Sequence, residues 1–228
     1  MVANVPGLLA VRTEFFQRIG LLRRGEDQFE SLARDYSGDS FDGLTIFVND
    51  LQEYVTPRST LASYARLVQA LRQTGKPLFG LFGGYYTLIL RKIGLGCFSN
   101  GVGYGEYRNS DYYAGGQAVR RYYMPKLHRY FTDTEAQSLL DVVDERWFRC
   151  GCNVCAGRRR LTSLASQELL DHFLNVRFDE LGHAGANTLE GILDELAQTF
   201  SRLRRYRVIP PDRYNHLREW VEALRPFC

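Results

Sequence analysis

Apolar residues in the first hundred positions follow two different spacings. Residues 43–49 form a short run of apolar and β-branched residues, which is typical of a strand buried on both faces, and similar runs cover residues 76–82 and 96–99. Between these runs, residues 60–74 and 85–93 carry apolar positions at helical spacing. Strands that alternate with helices form βαβ units, so the pattern predicts a parallel α/β sheet or barrel.

Most of the remaining chain has helical spacing. Six segments show it, and most are bounded by glycine, proline or a capping residue: residues 7–24, 27–36, 133–144, 164–181, 189–206 and 212–224. One further strand is predicted over residues 118–127, and Thr132 or Asp133 is expected to cap the helix that follows. We therefore predict a (β/α) barrel-like domain over residues 1–130 and a helical subdomain with the C-terminal helices over residues 131–228.

Composition narrows the class of protein. A chain of 228 residues with 45% hydrophobic residues can fill a core, and its net charge of +3 is too small to indicate a nucleic-acid partner by itself. Residues 1–25 alternate apolar and charged positions, unlike a secretory leader, and no long apolar run follows. Five cysteines suit a reducing compartment. We predict a cytoplasmic protein without a membrane segment.

Three of the cysteines lie within six residues, in the order Cys150-Gly-Cys152-Asn-Val-Cys155. Zinc prefers four tetrahedral ligands from thiolate sulfur and imidazole nitrogen, so three cysteines require one further donor. His172 and His183 both follow within range. Free thiols or a single disulfide are the alternatives, although a disulfide would leave one thiol over. The spacing favours a structural Zn²⁺ site.

Ligands of parallel α/β sheets bind at the loops that leave the carboxyl ends of the strands. These loops carry two candidate carboxylates, Asp50 and Glu106. Glycines there permit close approach of a ligand and tyrosines can flank a planar one, which predicts a substrate-binding set. The set is Gly83, Gly84, Tyr85, Tyr86 and Tyr104. The alternatives are glycines that only form tight turns, Asp50 as a turn residue, and Glu106 paired with Arg108.

Four features follow one another in the chain: a strand with a glycine-rich loop, Phe98-Ser99, the arginine-flanked Cys150-x-Cys152-x-x-Cys155, and Leu169-Leu170 before His172. This order resembles the carboxyl-terminal half of the tRNA-guanine transglycosylase family, including its archaeosine and DNA 7-deazaguanine relatives. The resemblance covers roughly residues 40–205, and its one specific element is the cysteine pattern. Those enzymes are (β/α)8 barrels with a zinc subdomain, and they exchange guanine for a deazapurine through a covalent link to an aspartate. The resemblance implies a partial TIM-like barrel with a helical zinc-binding subdomain.

The resemblance also implies roles for individual residues. Carried over, the zinc ligands are Cys150, Cys152, Cys155 and His172. His183 is the alternative fourth ligand and is expected before a helix. The family's nucleophilic aspartate falls at Ser99, which joins Asp50 and Glu106 in the predicted catalytic set. A complete barrel takes about 250 residues, and only about four strands precede the cysteines. We therefore expect self-association or a partner protein to complete the barrel.

Two functions from different classes follow from this resemblance. The first is a pentosyltransferase that exchanges a guanine or 7-deazapurine base in tRNA or DNA, with the target base flipped into a pocket. The second is a non-catalytic, zinc-stabilised nucleic-acid-binding or partner subunit, in which arginines contact phosphates. Those arginines are Arg158, Arg159 and Arg160 together with Arg202, Arg204, Arg205 and Arg207. Runs of arginine are also common on solvated faces.

Overall fold

The computed structural model describes residues 27–38, 42–101, 120–157 and 160–228. Seven α-helices lie in these ranges: α1 Asp27–Ser37, α2 Arg58–Arg72, α3 Tyr85–Ile89, α4 Asp133–Val142, α5 Ser166–Ala186, α6 Leu189–Leu203 and α7 Asn215–Leu224. The five strands are β1 Leu44–Ile46, β2 Leu78–Gly80, β3 Cys97–Phe98, β4 Arg121–Met124 and β5 Arg129–Thr132. None of the helices in these ranges combines the length and apolar character needed to cross a bilayer. The helix predicted over residues 7–24 lies outside the described residues.

The first three strands form a parallel sheet in the order β1-β2-β3. Helix α2 connects β1 to β2, and α3 with the 3-10 turn Leu90–Ile93 connects β2 to β3. The predicted mixed α/β class and the βαβ order are confirmed. The strands are shorter than predicted, and burial on both faces is wrong for β1 and β2, because Thr45 and Phe79 are only half-buried.

The strand predicted over residues 118–127 belongs to a second sheet. It forms β4, which pairs antiparallel with β5, a strand that the periodicity missed. Four residues separate the paired Met124 and Arg129, far too few for the crossover that a parallel neighbour needs. Within the described ranges the sheets have three and two strands and neither closes into a barrel. The partial barrel therefore stays a prediction.

Both faces of the β4–β5 hairpin are buried. Tyr122 and Phe131 are paired across the strands and face the main core. Tyr123 and its partner Tyr130 point the other way, into a smaller apolar cluster with residues of α5. Helix α5 packs on β4 and covers this second face. The hairpin thus stands between two sets of packed side chains.

The main core runs from Phe29 in α1 to Leu224 in α7. Helix α7 packs against α2 and α6, and the fully buried Trp220 donates its indole N–H to the backbone oxygen of Glu53 at 2.8 Å. The C-terminal helix therefore contributes to the packing around the parallel sheet. The predicted division of the chain at residue 130 stays a prediction.

His216 connects α7 to the hairpin and gives the fold a predictable response to acid. Its ring is buried, Nε2 donates to the carbonyl of Leu127 at 2.8 Å, and burial lowers its pKa to about 3. In the unfolded chain a histidine takes up its proton near pH 6.5. Between these two values the unfolded state binds more protons, so stability falls as the pH falls, by about 1.4 kcal/mol per pH unit for one proton.

His216→Gln should remove this contribution, because the glutamine Nε2 can still donate to Leu127 but has no proton to gain. We expect the free energy of unfolding, measured with urea between pH 7 and pH 5, to fall less steeply below pH 6.5 in His216→Gln than in the unmodified protein. Identical slopes in the two proteins would show that His216 does not resist protonation in the fold.

Candidate metal centre and strand-edge site

The cysteine loop is held at both ends by buried apolar residues. Phe148, at the end of the 3-10 turn Arg146–Phe148, is buried just before Cys150, and Leu161 and Leu164 are buried after the loop. Inside it, the N–H groups of Cys155 and Ala156 both donate to the carbonyl of Cys152, at 3.1 and 2.9 Å. This tight turn brings Cys152 and Cys155 to the same side of the loop.

Helix α5 supplies the fourth donor through His172, which is fully buried. Its Nε2 lies 2.7 Å from the carbonyl oxygen of Tyr123. A carbonyl only accepts, so Nε2 carries the proton and Nδ1 keeps its lone pair. Nδ1 lies 3.3 Å from the sulfur of Cys155, 3.4 Å from that of Cys152 and 3.7 Å from that of Cys150. The hydrogen bond to Tyr123 thus orients the imidazole as a ligand.

The four donor atoms fit one small cation. They all lie within 4.8 Å of one another. In a tetrahedral zinc site, Zn–S bonds of about 2.3 Å and a Zn–N bond of about 2.05 Å place nitrogen and sulfur about 3.6 Å apart. The observed separations bracket that value. The predicted ligands Cys150, Cys152, Cys155 and His172 therefore cluster as a possible metal-binding site.

The three thiols lie close enough to change one another's pKa. The Cys155 thiol hydrogen-bonds to Cys150, which lowers the pKa of Cys150 and raises that of Cys155, and burial raises the pKa of Cys152. The backbone N–H of Cys152 also donates to the Cys150 sulfur at 3.4 Å. One thiolate is thus favoured when no cation is bound, whereas a divalent cation would favour the ionisation of all three.

Tyr122 is a neighbour of this site that sequence patterns did not indicate. Its ring stacks on the imidazole of His172 with centroids 4.2 Å apart, and its hydroxyl lies 3.2 Å from the sulfur of Cys155. Burial raises the pKa of Tyr122, so the hydroxyl stays protonated and can donate to a thiolate at Cys155. Such an outer hydrogen bond fixes a ligand and tunes its basicity.

His183, the alternative fourth ligand, lies elsewhere. It is in the last turn of α5 rather than before a helix, and its side chain is exposed. Its Nε2 contacts a carboxylate oxygen of Glu195 at 2.8 Å. The cluster of metal-ligating atoms contains His172 and does not include His183.

Single alanine substitutions at the two histidines should separate the candidates. Because Nδ1 of His172 faces all three sulfurs, His172→Ala is expected to reduce the metal content from about one ion per chain to a small fraction of that. His183→Ala removes only exposed side-chain contacts, to Glu195 and Asn187, and should leave the content unchanged. Elemental analysis of both purified proteins measures the metal content per chain. Equal content in the two variants would exclude His172 as a ligand.

The carboxyl ends of β1, β2 and β3 meet at one edge of the parallel sheet, here called the strand edge. Asp50 follows β1, is exposed and has a φ of +59°. Ser99 follows β3, and its Oγ accepts from the N–H of Phe82 at 3.1 Å while its carbonyl accepts from Gly83 at 2.9 Å. Ser99 is therefore bound to the loop after β2, on the same edge as Asp50.

The predicted substrate-binding residues of this loop are largely internal. A Cβ on Gly83 would lie 2.4 Å from the Thr87 side chain, so glycine is needed there for packing within the chain. Tyr85 and Tyr86 are buried; Tyr86 donates its hydroxyl to the carbonyl of Leu61 at 2.7 Å. Tyr104 and Glu106 lie outside the described residues. Substrate binding by this set stays a prediction.

No protein-family model, curated protein or solved structure matches the chain. Function therefore has to be inferred from the residues and their geometry.

Glu53, which sequence patterns did not single out, organises the loop behind the strand edge. This buried carboxylate accepts from the N–H groups of Gly84 and Tyr86, each at 2.8 Å, and from the N–H and hydroxyl of Thr87 at 3.1 and 2.6 Å. Burial raises the pKa of Glu53, and the Thr87 hydroxyl and the backbone donors act in the opposite direction. Glu53 thus caps α3 from a distant loop.

A second buried carboxylate, Glu180 in α5, joins the metal centre to the strand-edge loop. It accepts from the hydroxyl of Tyr123 at 3.0 Å, and it contacts His128 Nδ1 at 2.6 Å and Arg177 Nη1 at 2.9 Å. His128 has a φ of +50°, and its ring stacks on Tyr85 with centroids 3.5 Å apart. Since the Tyr123 carbonyl also accepts from His172, these contacts are continuous from the candidate metal ligand to the loop after β2.

Proposed function

We propose that Cys150, Cys152, Cys155 and His172 bind Zn²⁺ in a structural site. Three sulfurs and one imidazole nitrogen are the donors zinc favours in such sites, and four protein ligands leave no position for a catalytic water. When bound, the ion would stabilise the fold by joining the cysteine loop to α5. Neighbouring residues position the ligands: the buried Phe148 holds the cysteine loop, and the Tyr123 carbonyl orients His172.

We propose that the chain is a transglycosylase-like protein that acts on tRNA or DNA through the strand edge. The observation that supports this best is the position of Asp50 and Ser99 at the carboxyl ends of strands in one parallel sheet, where α/β proteins bind ligands. Two of the non-glycine residues with positive φ, Asp50 at +59° and Phe82 at +56°, lie on this same edge. Strained backbone of this kind is common at functional sites.

The chemistry assigned to the edge is base exchange at a ribose or deoxyribose C1′. Asp50 forms a bond from its carboxylate to C1′ while the guanine leaves with the electron pair of the glycosidic bond and takes up a proton. The ring nitrogen of an incoming guanine or 7-deazapurine then attacks C1′, loses its proton and releases the carboxylate. Nothing is oxidised or reduced. By the sequence resemblance, Ser99 corresponds to the nucleophile of the transglycosylases. Its Oγ accepts from the N–H of Phe82, so its hydroxyl proton can be donated to the substrate.

Incorporation of labelled guanine or a deazapurine precursor into tRNA and duplex DNA tests this proposal. Asp50→Asn should reduce incorporation by about 10²-fold or more, as expected for loss of an essential carboxylate. Asp35→Asn makes the same change at an exposed position of α1 and should leave the rate intact. Equal incorporation by the two variants would exclude Asp50 from the reaction.

A non-catalytic nucleic-acid-binding subunit is the second candidate, favoured by a group of exposed arginines in the last turn of α6 and just after it. The group consists of Arg202, Arg204, Arg205 and Arg207. Arg158 and Arg159 lie outside the described residues. This candidate predicts no incorporation of any base, together with nucleic-acid binding that weakens steeply with salt and on substitution of these arginines. The same preparations therefore decide between the two functions.

The short parallel sheet supports one proposal about partners. β1 and β3 are its edge strands within the described residues, and edge strands readily pair with another chain. We propose that self-association or a partner protein extends this sheet. Light scattering on the purified protein tests this proposal, and a monodisperse monomer would count against it.

A further inference from the structure

A cavity of about 460 Å³ lies at the opposite, amino edge of the parallel sheet. The cavity is lined by Arg72, Arg91 and Lys92, by the turn that precedes β3, and by Gly185 at the end of α5. Gly96 of this turn donates its N–H to the carbonyl of Leu78, the first residue of β2, which places the cavity at the start of the strands. It is therefore distinct from the strand edge with Asp50 and Ser99.

Three side-chain cations line this cavity without a carboxylate among its lining residues. Within the described part of the chain, neither Arg72, Arg91 nor Lys92 forms an ion pair. Lys92 instead donates from Nζ to the carbonyl of Gly185 at 3.2 Å. Three neighbouring cations without an ion pair to the described residues therefore mark this cavity as positively charged.

Helix ends do not account for all of this charge. α2 ends at Arg72 and α5 ends next to Gly185, and the carbonyls at each helix end carry about half a negative charge. Two helix ends therefore offset about one of the three positive charges. The cavity retains a net positive charge that a bound anion could neutralise.

Gly94 allows the side chain of Arg72 to pack closely against the turn before β3. Gly94 has a φ of +131°, and a Cβ there would lie 2.5 Å from Cδ of Arg72 and 3.0 Å from its Cβ. Glycine at this position lets the aliphatic part of Arg72 lie directly on the turn. The side chain is thus restricted before any ligand arrives, which lowers the entropic cost of using its guanidinium in binding.

We propose that this cavity binds the phosphate groups of a phosphorylated ligand. Guanidinium groups match phosphate oxygens in bidentate hydrogen bonds, and a lysine adds a mobile point charge. A cavity of about 460 Å³ has the size of a small-molecule site. The phosphates belong either to a free nucleotide or to a nucleic-acid backbone. The proposal does not depend on base exchange at the strand edge, so either can fail alone.

Calorimetric titration with pyrophosphate tests the cavity. The double variant Arg72→Ala, Arg91→Ala should weaken binding by about 100-fold, since two charge-assisted hydrogen-bonding groups are lost. Arg34→Ala with Arg146→Ala removes the same charge from exposed positions that do not line the cavity and should change the affinity less than about twofold, as expected for exposed charges screened by salt. No binding by the unmodified protein, or equal losses in the two double variants, would overturn the proposal.

Gly185 offers a second test that keeps every cation. A Cβ at this position meets nothing within 4 Å, so alanine fits and leaves the cavity charge unchanged. Gly185→Glu adds a carboxylate beside Lys92 and should weaken pyrophosphate binding by about tenfold or more, whereas Gly185→Ala should not. Equal affinities of the two variants would overturn the proposal.

Titrations with ADP and with a single-stranded oligonucleotide then identify the source of the phosphates. Tighter binding of ADP indicates a free nucleotide, and tighter binding of the oligonucleotide indicates a nucleic-acid backbone.

Discussion

Cys155→Ser is expected to abolish metal binding and to destabilise the protein more than any other single substitution considered. The Cys155 sulfur lies 3.3 Å from Nδ1 of His172 and is buried, so serine would leave three donors around a cation that needs four. Structural zinc sites contribute about 10–16 kcal/mol of binding free energy, comparable with the total stability of about 5–15 kcal/mol of a typical domain. The measurements are elemental analysis and the thermal midpoint of unfolding.

Cys97→Ser and Cys228→Ser are matched controls, because both thiols are free and exposed. Each removes one sulfur away from the cluster and should shift stability by no more than about 0.5 kcal/mol. Addition of a strong chelator should lower the midpoint of the unmodified protein towards that of Cys155→Ser and leave Cys155→Ser itself unchanged. A Cys155→Ser protein that keeps both its metal and its midpoint would contradict the site.

Glu180→Gln should lower the free energy of unfolding by about 3–5 kcal/mol, the cost of removing one partner from a buried charged pair. The carboxylate accepts from Tyr123 and contacts both Arg177 and His128, all in a region almost closed to water. A glutamine keeps the shape but turns one acceptor into an NH₂ donor, which must face another donor. The buried guanidinium of Arg177 also loses its charged partner.

Glu195→Gln is the control for this change. Glu195 is exposed and contacts His183, so its neutralisation should alter stability by less than about 1 kcal/mol. Urea unfolding at neutral pH measures both variants. Similar losses in the two proteins would mean that Glu180 does not hold the hairpin against α5.

Local signals were enough to predict several features. The capping of α4 is an example: Thr132 accepts from the N–H of Glu135 at 3.2 Å, and the Glu135 carboxylate accepts from the N–H of Thr132 at 3.0 Å. Both partners lie within one helical turn, so the pattern is visible in four consecutive residues. The βαβ order and the clustering of the three cysteines were predictable for the same reason, because each depends on residues close together in the chain.

Features that depend on distant partners were not predictable. Glu53 and Glu180 act on groups that lie 31 and 52 residues away, Gly84 and His128, and nothing in the local sequence marks either carboxylate. The β4–β5 turn lacks glycine, and His128 occupies a positive-φ position that usually favours it, so the glycine pattern that predicts a hairpin was missing. Tyr85 begins a helix, as predicted, but its burial depends on tertiary packing that the local sequence does not reveal.

The two buried faces of the β4–β5 hairpin have a consequence for how the chain acquires its structure. A slip of β4 by one residue would exchange the directions of Tyr122 and Tyr123, because successive side chains of a strand point to opposite faces. Tyr122 would then leave His172, and Tyr123 would leave Glu180, so one misalignment would disrupt the metal centre and the acidic network together. A metal ion bound at this cluster would therefore favour the correct alignment, because only that alignment brings the Tyr123 carbonyl to Nε2 of His172 and the Tyr122 hydroxyl to Cys155.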